Sequence, residues 1–512
     1  MVDLKQIDMG KNDAKLDSLE KYFYDCGHIQ EIKRQNKFFV IGRKGAGKSA
    51  IACYAKKHLE EKMYVEIISF RDIPTQLMEQ FYDERFTASN KYTVLWNFIL
   101  AVEMSKILLD STKIETNARN KIKLFLELIN PTLKDNPKDY LNNVKSLGWS
   151  VSAGVGTPLA SANVDVKKET LYAEKYVNVI DYTNDLLNEL IKAFPLDENF
   201  HLFFDELDDN YQDEDNYKNM IIALFKATMD FNSKIFNQNK KASAVILLRD
   251  DIYEKLTYAD KNKWRDFGIF LDWKPSKNRR WDEQELFKIA NERIGASIDG
   301  VAHNGVNYWS KIFTTENISE DENAFDFIIS RTFFRPRDII QYVKSALEVA
   351  VGQNKSIIDK NVIEETDLKY GEWFKGELVD ELFPVIMEIQ EIFNLFKINY
   401  KCVFYKKDIE DIFARHKLMT KYTISELLQT LYNYSIIGQF MDAKYPVFKY
   451  RNPGISLNEE NKLCLHYGLR CGLGFSFRKD YKKGKTKESP KFDRKNVKQI
   501  LGKGSFFYKL SR

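Results

Sequence analysis

The chain has 512 residues, 44% hydrophobic and 30% charged, a balance that excludes disordered and fibrous proteins and provides for about two to four domains with real cores. The five cysteines, Cys26, Cys53, Cys402, Cys464 and Cys471, form no C-x-x-C pair, which argues against a zinc site or a disulfide framework. No uninterrupted apolar run approaches the roughly 20 residues that cross a bilayer, and Met1–Lys5 lacks a secretory segment, so a cytoplasmic protein without a membrane partner is expected. The net charge of +4 is unevenly spread: residues 478–512 carry +10 and the remainder −6.

The first informative stretch is Gly42-Arg43-Lys44-Gly45-Ala46-Gly47-Lys48-Ser49, which completes G-x-x-x-x-G-K-[ST]. The run Phe38–Ile41 before it reads as a buried strand, and Ser49-Ala50 and the residues that follow read as a helix. Strand, glycine loop and helix together present backbone N–H groups and a helix N-terminus to a polyphosphate. Glycine lets the chain curl where a Cβ would obstruct. Lys48 is suited to the β- and γ-phosphates, and the Ser49 hydroxyl to Mg²⁺. Residues 42–50 are therefore the candidate nucleotide-binding segment.

The long interval to the next motif predicts an insertion at about 90–185. It holds helix-like stretches at Tyr92–Leu109 and Ala118–Ile129 and a Gly/Ser-rich hairpin or flap beginning at Trp149. Leu202-Phe203-Phe204-Asp205-Glu206 then reads as a Walker B strand. Asp205 is the candidate Mg²⁺ ligand beside Ser49, and Glu206 the group that orients the attacking water. Ala242–Leu248 predicts the neighbouring strand, ending at Arg249, a candidate sensor of the γ-phosphate; an ion pair with Asp250 or Asp251 is the competing reading. Asn262-Lys263-Trp264-Arg265 lacks the Asp of a guanine-specific N-K-x-D loop, which favours ATP.

Beyond residue 275 the pattern turns helical, with a lid predicted over 276–375. Arg335-Pro336-Arg337-Asp338 reads as a helix start, Pro336 at its first turn. Arg335 and Arg337 are poor partners for that dipole end; either a phosphate contact or a structural ion pair would explain them. Residues 376–475 predict a winged-helix-like domain, with helices at Lys406–Arg415 and Thr423–Tyr434 and a hairpin from Ser435–Phe440 and Pro446–Tyr450. The basic tail, 476–512, is the candidate for phosphate contacts with DNA.

With Phe39–Ala50, Phe204-Asp205-Glu206, Leu247–Glu254 and Arg335–Asp338 in view, the chain resembles a bacterial P-loop ATPase family related to the KAP, STAND and AAA+ groups. The resemblance spans roughly residues 15–350. It implies an α/β core over 1–275 with a parallel sheet, ATP and Mg²⁺ as ligands, and homo-oligomers. Members end in a His-Pro-Gly-Leu-Arg-like sequence, from which Leu465-His466-Tyr467-Gly468-Leu469-Arg470 departs. Relatives in mobile elements and defence loci imply an antiviral setting.

The resulting expectation is an ATP-hydrolysing switch. Lys48, Glu206, Arg249 and Arg337 would be its catalytic residues, and an effector protein or DNA its partner. The rival expectation is a nucleotide-bound DNA-binding or scaffold protein with little turnover.

Overall fold

The computed structural model describes residues 2–57, 63–79, 88–129, 136–147, 149, 178–207, 215–259, 261–303, 305–319, 322–416, 421–441 and 445–475. The expected flap after Trp149, the carboxylates Asp208 and Asp209, and the basic tail lie outside these residues. The chain forms two compact units, Lys11–Asp272 and Met1–Gly10 with Trp273–Arg512. The first ten residues thus belong with the C-terminal half, not with the P-loop core as the 1–275 boundary had it.

In the Lys11–Asp272 unit, five strands form a parallel sheet: β1 Phe39–Gly42, β2 Met63–Ser69, β3 Asn199–Asp205, β4 Ala242–Leu248 and β5 Gly268–Leu271, in the order β2-β3-β4-β1-β5. The central strands β3 and β4 are buried on both faces, as the uninterrupted apolar runs of a covered parallel sheet require. Helix α1, Lys48–Lys57, follows β1 directly and packs on β2.

The insertion supplies helices α2 Ala88–Leu109, α3 Thr116–Ile129, α4 Pro137–Ser146 and α5 Val179–Ala193, and α6 Asp215–Phe236 follows β3. The predicted helices at Tyr92–Leu109 and Ala118–Ile129 are thus present. Tyr92–Leu109 is long and apolar enough to span a membrane, contrary to the sequence reading, but 72% of it is buried within the structure. Its all-round hydrophobicity has a simple cause, since it packs against both α5 and α6. The Trp96 indole donates to the Met220 carbonyl at 3.0 Å, which satisfies the one polar atom of a wholly buried ring.

In the other unit, α7 Glu285–Asp299, α8 Pro336–Gly352 and α9 Lys360–Leu382 form the helical part. Arg293 donates to the Met9 carbonyl at 2.6 Å, fixing the first ten residues here. Next come α10 Ile389–Ile398, β6 Val403–Phe404, α11 Lys406–His416, α12 Ile424–Asn433, β7 Ile437–Gln439, β8 Leu463–Leu465 and α13 Tyr467–Gly472. The short sheet is antiparallel, in the order β6-β8-β7. Thr423 and Glu426 form the capping box of α12 that their spacing predicts.

The second hairpin strand is not Pro446–Tyr450. Val447 makes one isolated bridge to Gln439, and Leu463–Leu465 takes the central place in the sheet. The departing motif near the end has a packing role. A Cβ on Gly468 would lie 2.3 Å from the Arg331 carbonyl, and one on Gly472 2.1 Å from that of Gly371, so α13 lies against α9 with no room between the backbones. These glycines admit no side chain.

Candidate nucleotide site

Local sequence builds the phosphate loop. β1 ends at Gly42 and α1 begins at Lys48, and Gly45 and Gly47 turn the chain between them in the left-handed region, at φ 79° and 99°. The first turn of α1 has no acidic residue, so its N-terminal N–H groups face no competing carboxylate from within the helix. Arg43, Lys44, Gly45, Gly47, Ser49 and Ala50 are half-buried, and Ala46 is buried.

Lys48 is 9% exposed, and its Nζ donates to the carbonyls of Gly42 at 2.8 Å and Arg43 at 3.1 Å. Both acceptors are neutral and belong to the loop itself. These carbonyl hydrogen bonds can be exchanged for one to a phosphate oxygen, a stronger, charge-assisted acceptor.

Across the sheet edge, β3 delivers Asp205, 4% exposed, to the neighbourhood of the Ser49 hydroxyl. Burial raises the Asp205 carboxyl above its usual range, against Ser49, the Glu206 N–H hydrogen bond and the charge of Lys48, which all favour the carboxylate. Ser49 and Asp205 together form the hydroxyl-plus-carboxylate donor set that suits a Mg²⁺ arriving with a polyphosphate. Among the described residues there is no group of three or more His, Cys, Asp or Glu that could hold a metal ion.

Glu206 adopts φ 61°, an uncommon conformation for a side-chain-bearing residue. Its carboxylate is held on both sides. Lys15 donates to Oε1 at 2.5 Å, Ser69 donates to Oε2, and the Arg71 Nε lies 3.9 Å from Oε2. Ser69 is brought there by register, since it stands opposite Asp205 where β2 pairs with β3. Burial alone would raise Glu206, but the hydrogen bonds from Lys15 and Ser69 and the charges of Lys15 and Arg71 outweigh it and hold the carboxyl low. Sequence reading missed all three partners. Lys15 is 191 positions from Glu206, and no local signal connects them.

The structure gives every sensor candidate an acidic partner. Arg249, directly after β4, forms a two-pronged pair with Asp251, Nε to Oδ1 at 2.9 Å and Nη2 to Oδ2 at 2.7 Å. Asp250 accepts instead from the Asp251 backbone N–H at 2.9 Å. Burial raises its carboxyl, against the nearby charges of Arg43 and Lys48.

In the other unit, Arg335 is 2% exposed. Its Nε donates to both Asp338 oxygens at 3.0 and 2.9 Å, and its Nη1 lies 3.5 Å from Glu381. Arg337 is half-buried, with Nη1 3.3 Å from Glu377. All three carry the ion pairs of the competing reading. Arg265, where a guanine-specific loop would carry its Asp, lies over the Phe270 ring.

A parallel α/β sheet with a glycine loop between β1 and α1, and an Asp-Glu pair at the end of β3, fits a P-loop NTPase core. Residues 284–379 match the model of the FunZ-associated C-terminal helical domain. The chain is similar to the "Putative transposon gamma-delta 80.3 kDa protein" of Escherichia coli (strain K12), 21% identical over 91% of this chain and 66% of that protein. This chain therefore spans just under two thirds of its relative's length. Among solved structures it matches the crystal structure of Cdc6p from Pyrobaculum aerophilum, with 10% identity, 91% of this chain and 94% of that one covered, and a TM-score of 0.29.

Proposed function

We propose that this protein is an ATP-hydrolysing switch of the AAA+/STAND type. The observation that carries the reading is the convergence of Lys48, Ser49, Asp205 and Glu206 at one sheet edge, where Ser49, the Glu206 N–H and the charge of Lys48 all favour the Asp205 carboxylate. The sheet order supports it, because one strand, β4, separates the Walker B strand from the P-loop strand and ends in a polar residue beside the loop.

Bound Mg²⁺ would be held by Ser49 and Asp205 and would supply charge neutralisation at the phosphates. Lys48 would leave the Gly42 and Arg43 carbonyls for phosphate oxygen. Glu206 would orient the attacking water and accept its proton as the γ-phosphorus–oxygen bond to the β-phosphate breaks. Arg249 and Arg337 reach a phosphate only by leaving Asp251 and Glu377. Arg335 has two carboxylates around it, and we assign it to its unit's own core.

The C-terminal part supports a winged-helix reading: α10, β6, α11, α12, β7 and β8, with β8 central, follow one another as in that module. The exposed residues of α12 include Glu426, Gln429 and Asn433 and no cation, so DNA contacts would fall to the basic tail. An effector protein and a homo-oligomer are the other partners we propose. The transposon named for the Escherichia coli relative, with the family resemblance, supports a mobile-element or defence setting.

One observation favours the low-turnover scaffold as a second reading: both oxygens of Glu206 are engaged by the protein. Titration with Mg·ATP and steady-state turnover separate the two. Lys48→Ala is expected to weaken ATP by about 3 kcal/mol, roughly 100-fold. Glu206→Gln should retain binding and lose turnover. Turnover that survives Glu206→Gln would sink the hydrolase mechanism.

A further inference from the structure

We infer that Lys15 is an intramolecular latch that keeps the hydrolytic carboxylate of Glu206 out of action until the N-terminal segment moves. The inference rests on the hydrolase reading above. Its physical basis is a tethered and neutralised base. A carboxylate that takes a proton from water must be basic and turned toward it. Here Lys15 holds Oε1 while Ser69 holds Oε2, so the lone pair left on each oxygen is less basic and fixed in direction. Arg71 adds a second positive charge beside Oε2, so an arriving water meets a carboxylate already neutralised from two sides.

Lys15 is also presented for that contact. The backbone N–H of Lys11 donates to Asp17 Oδ1 at 2.6 Å, closing a short loop with Lys15 inside it. Asp17 is 2% exposed, and Tyr22 donates to the same oxygen. Lys57, at the end of α1, donates to the Asp17 carbonyl at 2.6 Å. The loop is therefore fixed to the helix that begins at Lys48, while the Lys15 side chain remains 45% exposed and can leave into water at small cost.

Its place in the chain supplies a route for release. The chain passes between the two units at Gly10–Lys11 and again at Asp272–Trp273. Lys15 follows the first crossing closely, whereas the preceding residues are bound within the C-terminal half, where Ser297 accepts from the Asp8 N–H at 3.0 Å and Arg293 holds Met9. A shift of those residues reaches Lys15 through covalent chain.

The test is steady-state turnover of Mg·ATP by the full chain and by Lys15→Met, Lys15→Gln and Lys15→Arg, with Glu206→Gln as the blank. Removal of the charge should raise kcat roughly three- to tenfold, the rate equivalent of losing one part-exposed charged hydrogen bond. KM for ATP should change little, because the Lys15 side chain bonds Glu206, which the reading above assigns to the attacking water and not to the phosphates. Lys15→Arg should return turnover toward the wild-type rate. Adding Glu206→Gln to Lys15→Met should erase the increase. If Lys15→Met and Lys15→Gln, melting like the wild type, turn over at the wild-type rate or below it, the latch is overturned and the hydrolase stands. If neither wild type nor the Lys15 variants turn over while all bind ATP, the hydrolase reading fails, and the latch fails with it.

Discussion

The P-loop edge of the Lys11–Asp272 unit and the Arg331–Asp338 element of the other unit both bury cations, and they do so in opposite ways. Lys48 is held by two neutral carbonyls of its own loop. Arg335 is enclosed by two carboxylates, Asp338 and Glu381. Nearby, Arg331 reaches Asp367 at 3.3 Å, and Tyr342 donates to the other oxygen of Asp367 at 2.6 Å. Lys48 lies in the field of Asp205, Asp250 and Asp251, but its hydrogen bonds go to carbonyls that an anionic ligand can displace. The Arg335 guanidinium, by contrast, is bonded directly to a carboxylate. Partner type, more than depth of burial, distinguishes a binding cation from a structural one.

The largest effect should come from the enclosed pair. Burial opposes the charge on Arg335, yet Asp338 and Glu381 hold it firmly protonated. Asp338→Ala leaves that guanidinium short of a carboxylate, and is expected to cost about 3–5 kcal/mol of folding stability. Chemical unfolding followed within the C-terminal half measures it. Arg335→Met leaves the buried Asp338 and Glu381 without their cation and should cost a comparable amount, with ATP affinity unchanged. If Arg335→Met leaves unfolding untouched but weakens ATP, the comparison breaks, and Arg335 belongs to the phosphate.

His201 provides a third case, buried without an ionic partner. It is fully enclosed on β3, with Nδ1 2.8 Å from the Ser243 hydroxyl, and burial lowers its pKa from 6.5 to about 3, with a small contribution from Lys33. The folded protein therefore binds fewer protons than the unfolded chain between those values. Stability from this residue is complete above about pH 6.5 and is lost as pH falls toward 3. At pH 5 the loss should be about 2 kcal/mol. Unfolding free energies at pH 5 and pH 7 check it, and His201→Gln should remove this part of the acid sensitivity.

What was legible in the sequence was local. The P-loop could be read because its strand, glycines and lysine lie within a dozen residues, and the α12 cap because Thr423 and Glu426 are one turn apart. β8 was missed because Leu463-Cys464-Leu465 is too short to show a period, and its place in the sheet depends on pairing with β6 and β7. Arg249 and Arg335 fall at a strand end and a helix start, as their local sequence predicts. Their carboxylate partners were ambiguous or distant: Asp251 is two residues from Arg249, whereas Glu381 reaches Arg335 from another helix. Lys15 and Glu206 mark the extreme, a pair joined only by the fold.

Arg249 lies between the two cases and sharpens the rule most finely. It follows β4 beside the phosphate loop, as a ligand-reading residue would, but it has a carboxylate partner, as a structural one would. Its side chain is 15% exposed and that of Asp251 36%. Burial would raise Asp251, but the charge and hydrogen bonds of Arg249 outweigh it and hold the carboxyl low. Because one partner is this open to solvent, the pair should contribute less than about 1 kcal/mol to stability. Asp251→Asn is therefore expected to leave the melting temperature nearly unchanged. Its effect on nucleotide is the informative quantity. If Arg249 is held back from phosphate only by Asp251, neutralising Asp251 should tighten ATP by a few-fold relative to ADP, since only ATP carries the γ-phosphate. Equal affinities for both nucleotides, matching those of the wild type, would place Arg249 with Arg335, and leave Lys48 as the binding cation defined by its carbonyl partners.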